Sequence, residues 1–196
     1  SHFACGVVTD GLLCQTPDDR IRTLYFVNGT LMENDTSQSD YQELSGFLAQ
    51  MGKGDLYIKG ANAIDPQGNA GFLLAHDTGG NIMMTLPKIC AQGVKFLIPT
   101  GLEKLIPSVP EAQRSMEGIY EYDYTFGRGC GYVSVPNGII LHEIAALELL
   151  TGAHAVQSAA GGIGGSEGAV TLVIHCDNDA QQEATIALLK EIKGEP

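Results

Sequence analysis

The chain has 196 residues, of which 44% are hydrophobic, and its formal net charge is −12 with only 11 Lys and Arg residues. This length fits one sizeable domain, or a principal domain with a small appendage. So few cations argue against a nucleic-acid partner, because phosphate binding needs clustered Lys and Arg. No uninterrupted apolar run approaches the ~18 residues of a membrane span, so no membrane partner is expected.

Cysteine usage bears on the compartment. The five cysteines are scattered and include no C-x-x-C pair. An odd, dispersed set is typical of a reducing compartment, and it supports neither a disulfide framework nor a zinc site. We therefore expect a cytoplasmic protein that holds no metal and no other cofactor.

Two strands are predicted ahead of the first helix. A short apolar run at 3–8 predicts one of them. The segment 21–31 is rich in β-branched and aromatic residues and predicts the other. Asn28-Gly29 lies inside it, and this pair either interrupts the strand or turns it into a hairpin.

The next elements have the order of a parallel sheet. Ser39 and Gln42 form a capping-box pair ahead of apolar residues at helical spacing, which predicts a helix at 39–51. A buried strand is predicted at 55–59. Strand, helix and strand in this order are the unit from which parallel sheets are built.

Beyond Gly60 the sequence predicts two more strands and a helix. The strands are expected at 70–75 and 94–99, and the helix within 82–92. Pro87 is expected either to lie in the first turn of that helix or to break it, because proline removes a backbone hydrogen bond from a helix interior.

Past residue 106 the pattern changes to a smaller α+β arrangement. The predicted elements are a strand within 119–135, a helix at 139–150, strands at 154–159 and 169–175, and a final helix capped from 177–179. The glycine-rich stretch 161–168 is expected to form a mobile hairpin arm, either a lid or a contact between subunits of a homo-oligomer. It lacks the Lys-Ser/Thr ending of a phosphate-binding P-loop.

These patterns together predict an α/β fold. A Rossmann-like, mostly parallel sheet is expected in residues 1–110. A smaller α+β segment is expected in 111–196, packed on the first part or inserted beside it.

Two motifs carry a resemblance to known proteins. IKGANAID at 58–65 resembles the strand-end loop of ribose-5-phosphate isomerases and the GA-N-A-x-I of LUD-domain proteins. TLPK at 85–88 and FLIPTGLEKLIPS at 96–108 resemble the LUD pattern "TLP, strand, G-I/A-E-K-L/V-V-P". About a quarter of the chain is thereby similar to the superfamily of these isomerases, CoA transferases, glucosamine-phosphate deaminases and LUD-domain lactate-utilisation proteins, and closest in motif to the LUD branch.

The resemblance implies a role in organic-acid or sugar metabolism, yet the sequence departs from it where the isomerases move protons. Asn62 and Ala63 stand where the isomerases carry acidic residues, and Asp65 alone keeps a carboxylate. A proton abstraction of the isomerase type therefore lacks its obvious general base.

The carboxyl edge of the sheet is the predicted ligand site. HDTGGN at 76–81 combines glycines with a helix start, where backbone N–H groups favour an anion. The expected ligand is a small anionic metabolite, either a carboxylate or a sugar phosphate. The predicted substrate-binding residues are Gly60, Asn62, Thr78, Gly79, Gly80, Asn81, Gly101, Glu103 and Lys104. For Glu103 and Lys104, an ion pair that fixes the loop is the alternative.

The sequence is compatible with two functional classes, an enzyme and a non-catalytic subunit. If the protein is an enzyme, Asp65 and His76 are the candidates for acid–base work. The alternative is a non-catalytic ligand-sensing or assembly subunit that keeps the cleft without its carboxylates. Convergence of Asp65 and His76 on one cavity would favour the enzyme.

Several remaining polar residues are weaker candidates. Arg114 and Arg128 are scarce cations that either contact an anion or lie solvated on the surface. Cys130 has no neighbouring histidine to activate it as a nucleophile. His142 is expected to be structural, because the histidines show no metal-ligand spacing.

Overall fold

The computed structural model describes residues 7–9, 12–14, 23–33, 35 and 37–193. Within these ranges the strands are β1 (Val7–Thr9), β2 (Leu12–Cys14), β3 (Phe26–Val27), β4 (Thr30–Leu31), β5 (Leu56–Ile58), β6 (Ala63–Ile64), β7 (Ala70–Leu74), β8 (Lys95–Pro99), β9 (Gly131–Val135), β10 (Ile139–Leu141), β11 (His154–Ala160) and β12 (Val170–His175). The helices are α1 (Asp40–Gln50), α2 (Gly80–Gln92), α3 (Val109–Ser115), α4 (Glu143–Thr151) and α5 (Asp179–Lys193), with a 3-10 turn at Leu102–Lys104. Of the strand predicted at 3–8, residues 3–6 lie outside the described ranges.

The hairpin alternative for 21–31 is confirmed in its described part. Strands β3 and β4 pair antiparallel through a turn at Asn28 and Gly29, and both turn residues have positive φ. This is the backbone that a two-residue hairpin turn requires, and Asn-Gly adopts it at low cost.

The helix predicted at 39–51 is confirmed as α1. The Ser39 side chain accepts the Gln42 amide, and the Gln42 side chain accepts the Ser39 amide. Leu44 and Leu48 are buried with Tyr25, whose ring stacks on Phe47 at a centroid distance of 3.8 Å. The apolar stripe of α1 therefore forms a small second core next to the main one.

A three-stranded parallel sheet joins distant parts of the chain. Its order is β10–β8–β5, and both pairings are parallel. β5 is an edge strand in which Leu56 and Ile58 are about half exposed, so the prediction of a buried strand at 55–59 is wrong in its burial. β8 is central and carries the fully buried Ile98.

An antiparallel sheet, β6–β7–β9, accompanies the parallel one. Both sheets contribute to one core, in which the rings of Phe72 in β7 and Phe96 in β8 stack with their centroids 5.8 Å apart. The protein thus has a mixed α/β architecture with a parallel component. β9 and β10 lie after the boundary predicted near residue 110, yet they pair with strands that lie before it.

Two predicted elements need correction. The helix predicted at 139–150 begins only at Glu143, because Ile139–Leu141 extends the parallel sheet as β10. Pro87 lies well inside α2 instead of in its first turn, and the helix continues through it. Proline at 87 has no N–H for the carbonyl of Met83, and both residues are exposed on the outer face of the helix.

The C-terminal part forms the predicted layer of helices on a hairpin. β11 and β12 pair antiparallel, and α4 packs against β11 and α5. Ala153 and Ala155 are buried there. Among the described helices, none has the length and apolarity needed to cross a membrane.

Candidate functional site

Three of the predicted site residues line cavities, and they line two different ones: His76 and Gly79 line the first, and Asp65 lines the second. The first, called the α2 cavity, lies at the start of α2 and has a volume of about 360 Å³. It is lined by Leu74, His76, Asp77, Gly79, Gly118, Ile119, Tyr120 and Gly131. The second, called the α4 cavity, lies at the start of α4 and has a volume of about 280 Å³. It is lined by Ile64, Asp65, Pro66, Gly68, Leu102, Leu105, Ile140, His142 and Ile144.

The N-terminus of α2, which begins with two glycines, lies at the α2 cavity. Gly79 is the N-cap with φ of 75°, and in the described structure no side chain caps the helix. Gly80 has φ of 64°. A Cβ on Gly79 would clash with the Met83 side chain, and a left-handed φ disfavours other residues there. The glycines therefore keep this helix start open, and its first amides remain available as donors.

His76 is oriented by the turn that precedes α2. Its Nδ1 accepts the Thr78 amide at 3.3 Å and lies 3.0 Å from the Thr78 hydroxyl. The Gly79 amide closes the same turn on the His76 carbonyl at 2.7 Å. With Nδ1 accepting, the neutral ring carries its proton on Nε2. His76 is exposed and can donate from Nε2 to a ligand oxygen.

Two charges act at the mouth of the α2 cavity. The Tyr120 hydroxyl donates to the Asp77 carboxylate at 2.5 Å. This hydrogen bond and the charge of Asp77 raise the pKa of Tyr120, and the positive charge of Arg128 partly offsets the effect. Arg128 acts in the same direction on Cys130, where burial raises the pKa of the thiol more than Arg128 lowers it. Arg128 does not line the cavity, but its positive charge acts on Tyr120, which does.

Asp65 belongs to the other cavity and serves as a structural anchor. It is 5% exposed, and its carboxylate accepts the amides of Gln67, Asn69 and Val109 at 2.9 to 3.0 Å, together with the Asn69 side chain. Burial alone would raise the pKa of Asp65, but these hydrogen bonds outweigh burial and lower it. Asp65 therefore holds the β6–β7 loop against the first turn of α3.

Asp65 and His76 do not line one cavity. The predicted acid–base pair is therefore not assembled in this structure. The physical reason is the length of β7, which separates the Asp65 turn at its beginning from the His76 turn at its end.

Two of the other predicted binding residues, Asn62 and Lys104, use their polar groups in internal hydrogen bonds. Asn62 Oδ1 accepts the Leu73 amide at 2.9 Å, and Lys104 Nζ donates to the Ala61 carbonyl at 3.1 Å. No ion pair joins Lys104 to Glu103, although the structure describes both side chains. The Glu103 carboxylate folds over Gly101, where a Cβ would meet it.

Gly60 and Asn81 occupy tight positions outside both cavity linings. A Cβ on Gly60 would lie 3.2 Å from the Pro99 carbonyl, so glycine allows the ends of β5 and β8 to approach. Asn81 Oδ1 is buried and, within the described part of the chain, has no hydrogen-bond partner. Such an acceptor in a first helical turn is a position where water or a ligand donor fits.

His142 and Glu143 were not predicted to take part in a site. His142 is the N-cap of α4 and its Nδ1 accepts the Ala145 amide at 3.3 Å. Glu143 Oε2 accepts the Leu102 amide at 2.9 Å. The signal that could have revealed them is their place directly after a parallel strand, but the apolar run 139–150 concealed that strand.

The described residues contain no group of three His, Cys, Asp or Glu side chains that could hold a metal ion. Comparison of the chain with protein families, with curated proteins and with solved structures finds no match in any of the three.

Proposed function

We propose that the protein binds an anionic small metabolite, a carboxylate or a sugar phosphate, in the α2 cavity. The observation that carries this proposal is the uncapped start of α2 on the wall of a cavity of ligand size. First-turn amides and the positive end of the helix dipole both favour negative charge.

The side chains around the cavity supply further donors. His76 offers Nε2–H, and Arg128 brings a positive charge near Tyr120. The negative charge of Asp77 repels an anionic ligand, but one of its carboxylate oxygens already accepts a hydrogen bond from the Tyr120 hydroxyl. In this proposal the Arg128 guanidinium binds the anion and offsets the charge of Asp77.

The motif resemblance supports a role for this binding in organic-acid or sugar metabolism. We propose that the chain has a Rossmann-like, LUD-type ancestry and works in the cytoplasm. A homo-oligomer is part of the same proposal, with the 161–168 arm as a candidate subunit contact.

A second candidate function is a non-catalytic ligand-sensing or assembly subunit. One specific observation favours it: the carboxylate of Asp65 is already engaged by four donors, and His76 lies in the other cavity. An acid–base pair would need to reach the same substrate atom or its neighbours.

A thermal-shift screen tests the proposal. The purified chain is heated with sugar phosphates, small hydroxy and keto acids, and CoA esters. A ligand at ~100 times its dissociation constant stabilises the folded state by about 2.7 kcal/mol. We expect one anionic class to raise the melting temperature. Silence across the panel contradicts the proposal.

Variants locate the binding. Arg128→Gln should weaken the anion about tenfold, as expected for a lost charged hydrogen bond. Arg114→Gln removes another exposed arginine, in the last turn of α3, and should leave affinity unchanged. Gly79→Val should abolish binding, because it obstructs the helix start. If both arginine variants weaken binding equally, the anion responds to the net charge of the protein and does not bind at Arg128.

A further inference from the structure

The α4 cavity has the position of a ligand site, independently of any binding at α2. It lies where the parallel strands β8 and β10 end, and its lining includes Leu102 after β8 and His142 after β10. Ligands of open parallel sheets bind beyond the carboxyl ends of the strands.

The walls of the α4 cavity are mostly apolar. The apolar side chains are Ile64, Pro66, Leu102, Leu105, Ile140 and Ile144. Small-molecule sites commonly combine such walls with a few placed polar groups. Here the polar side chains are Asp65 and His142.

Of these two polar side chains, only His142 has a ring nitrogen that no other group in the described structure uses. Asp65 is engaged by the amides of Gln67, Asn69 and Val109 and by the Asn69 side chain. His142 uses Nδ1 to cap α4, so its neutral ring carries the remaining proton on Nε2. The side-chain donor that a ligand in this cavity could use is therefore His142 Nε2–H, which calls for a ligand with an acceptor.

The charges around the cavity select against an anion. Asp65 lines it, and the Glu143 carboxylate lies against the Leu102 amide. The nearest cation in sequence, Lys104, is directed to the Ala61 carbonyl. The first amides of α4 are partly used as well, because His142 holds that of Ala145. A carboxylate ligand would be repelled by these negative charges and would lose hydration among the apolar walls.

We propose that the α4 cavity is a second binding site, for a small neutral molecule with an apolar body and one carbonyl-type acceptor that takes a hydrogen bond from His142 Nε2–H. The α4 cavity is thus proposed to bind a neutral ligand, whereas the α2 cavity is proposed to bind an anion.

Amide-resolved NMR titrations of the full chain test this site. Cyclohexanone is the neutral probe, and cyclohexanecarboxylate is the matched anion with the same ring. Cyclohexanone should shift the amides of Leu102, Leu105 and Ile144, with millimolar affinity as a small fragment. The carboxylate should bind there at least about fivefold more weakly.

His142→Asn is the decisive variant. The asparagine Oδ1 takes the place of Nδ1 and continues to cap α4, while no atom replaces Nε2. The variant should keep its melting temperature and lose about fivefold in affinity for cyclohexanone.

Leu105→Trp provides a second variant at the cavity rim. Leu105 is 42% exposed, so a larger ring there should block entry without disturbing the core. Unchanged cyclohexanone binding in both variants, or no shifts in the wild type, would overturn the proposal. Tighter binding of the carboxylate at these residues would overturn the neutral preference.

Discussion

The two cavities lie at the starts of two helices, and the helices differ in how their first amides are used. α2 begins at Gly79 without a side-chain cap. α4 begins at His142, whose imidazole accepts an amide of the first turn. An open helix start favours an anion, whereas a capped start beside carboxylates favours a neutral ligand. If both proposed sites bind as argued, the choice of N-cap residue separates their two ligand classes.

The largest expected effect concerns Asp65, which sits in the α4 cavity wall but acts structurally. Asp65→Ala leaves three backbone donors without their acceptor, so it should lower the unfolding free energy by about 3 kcal/mol. His76→Ala, in the exposed turn of the α2 cavity, should change it by less than about 0.5 kcal/mol. Urea unfolding measures both. Equal losses would contradict the assignment of Asp65 as an anchor.

Acid should reproduce part of the Asp65 effect. Its folded pKa lies below the unfolded value, so its contribution to stability is present above ~3.9 and is lost as pH falls through the folded pKa. Unfolding free energies between about pH 6 and about pH 3 should fall more in the wild type than in Asp65→Asn. Parallel curves would show that the carboxylate charge is not what holds the loop.

The capping contrast predicts a smaller difference. His142→Ala removes the N-cap of α4 and should cost about 1 kcal/mol, whereas His142→Asn should restore most of it. Thr78→Ala alters the turn before α2 without removing a helix cap and should cost less than about 0.5 kcal/mol. Thermal melts of the three variants compare the helix starts directly.

The smallest expected difference between the two cavities is in the salt dependence of ligand binding. Anion binding at the exposed start of α2 should weaken about threefold as NaCl is raised from low to near-molar concentration, because surface charges are screened. Cyclohexanone binding at α4 should not change. Titrations at both salt concentrations measure this, and a matching salt dependence for the neutral probe would contradict the charge assignment.

Local signals made part of this structure predictable. The Ser39–Gln42 capping box fixed the start of α1, and Asn28-Gly29 marked a hairpin as one of two alternatives. β10 was missed because Ile139–Leu141 continues into an apolar helix, and periodicity alone does not separate a short buried strand from the helix that follows.

The site was predictable only within single loops. The 76–81 loop was placed correctly at a helix start, because glycines and a following apolar period indicate one. The Asp65 turn also has a local signal, since Asp followed by Pro and Gly favours a turn that uses its own side chain. The bond from Val109, 44 residues away, has no such signal, and neither does the distance between Asp65 and His76.

Amide NMR spectra of one sample, recorded with ribose-5-phosphate and then with cyclohexanone, test whether the two cavities are separate sites. Both ligands are added to the wild-type chain, and the shifted amides are assigned. We expect the phosphate to shift the amides of Gly79 to Ile82 and to leave those of Leu102 and Ile144 unchanged. Cyclohexanone should shift the amides of Leu102 and Ile144 and leave those of Gly79 to Ile82 unchanged. Shifts of one shared set of residues by both ligands would contradict two separate sites of opposite preference.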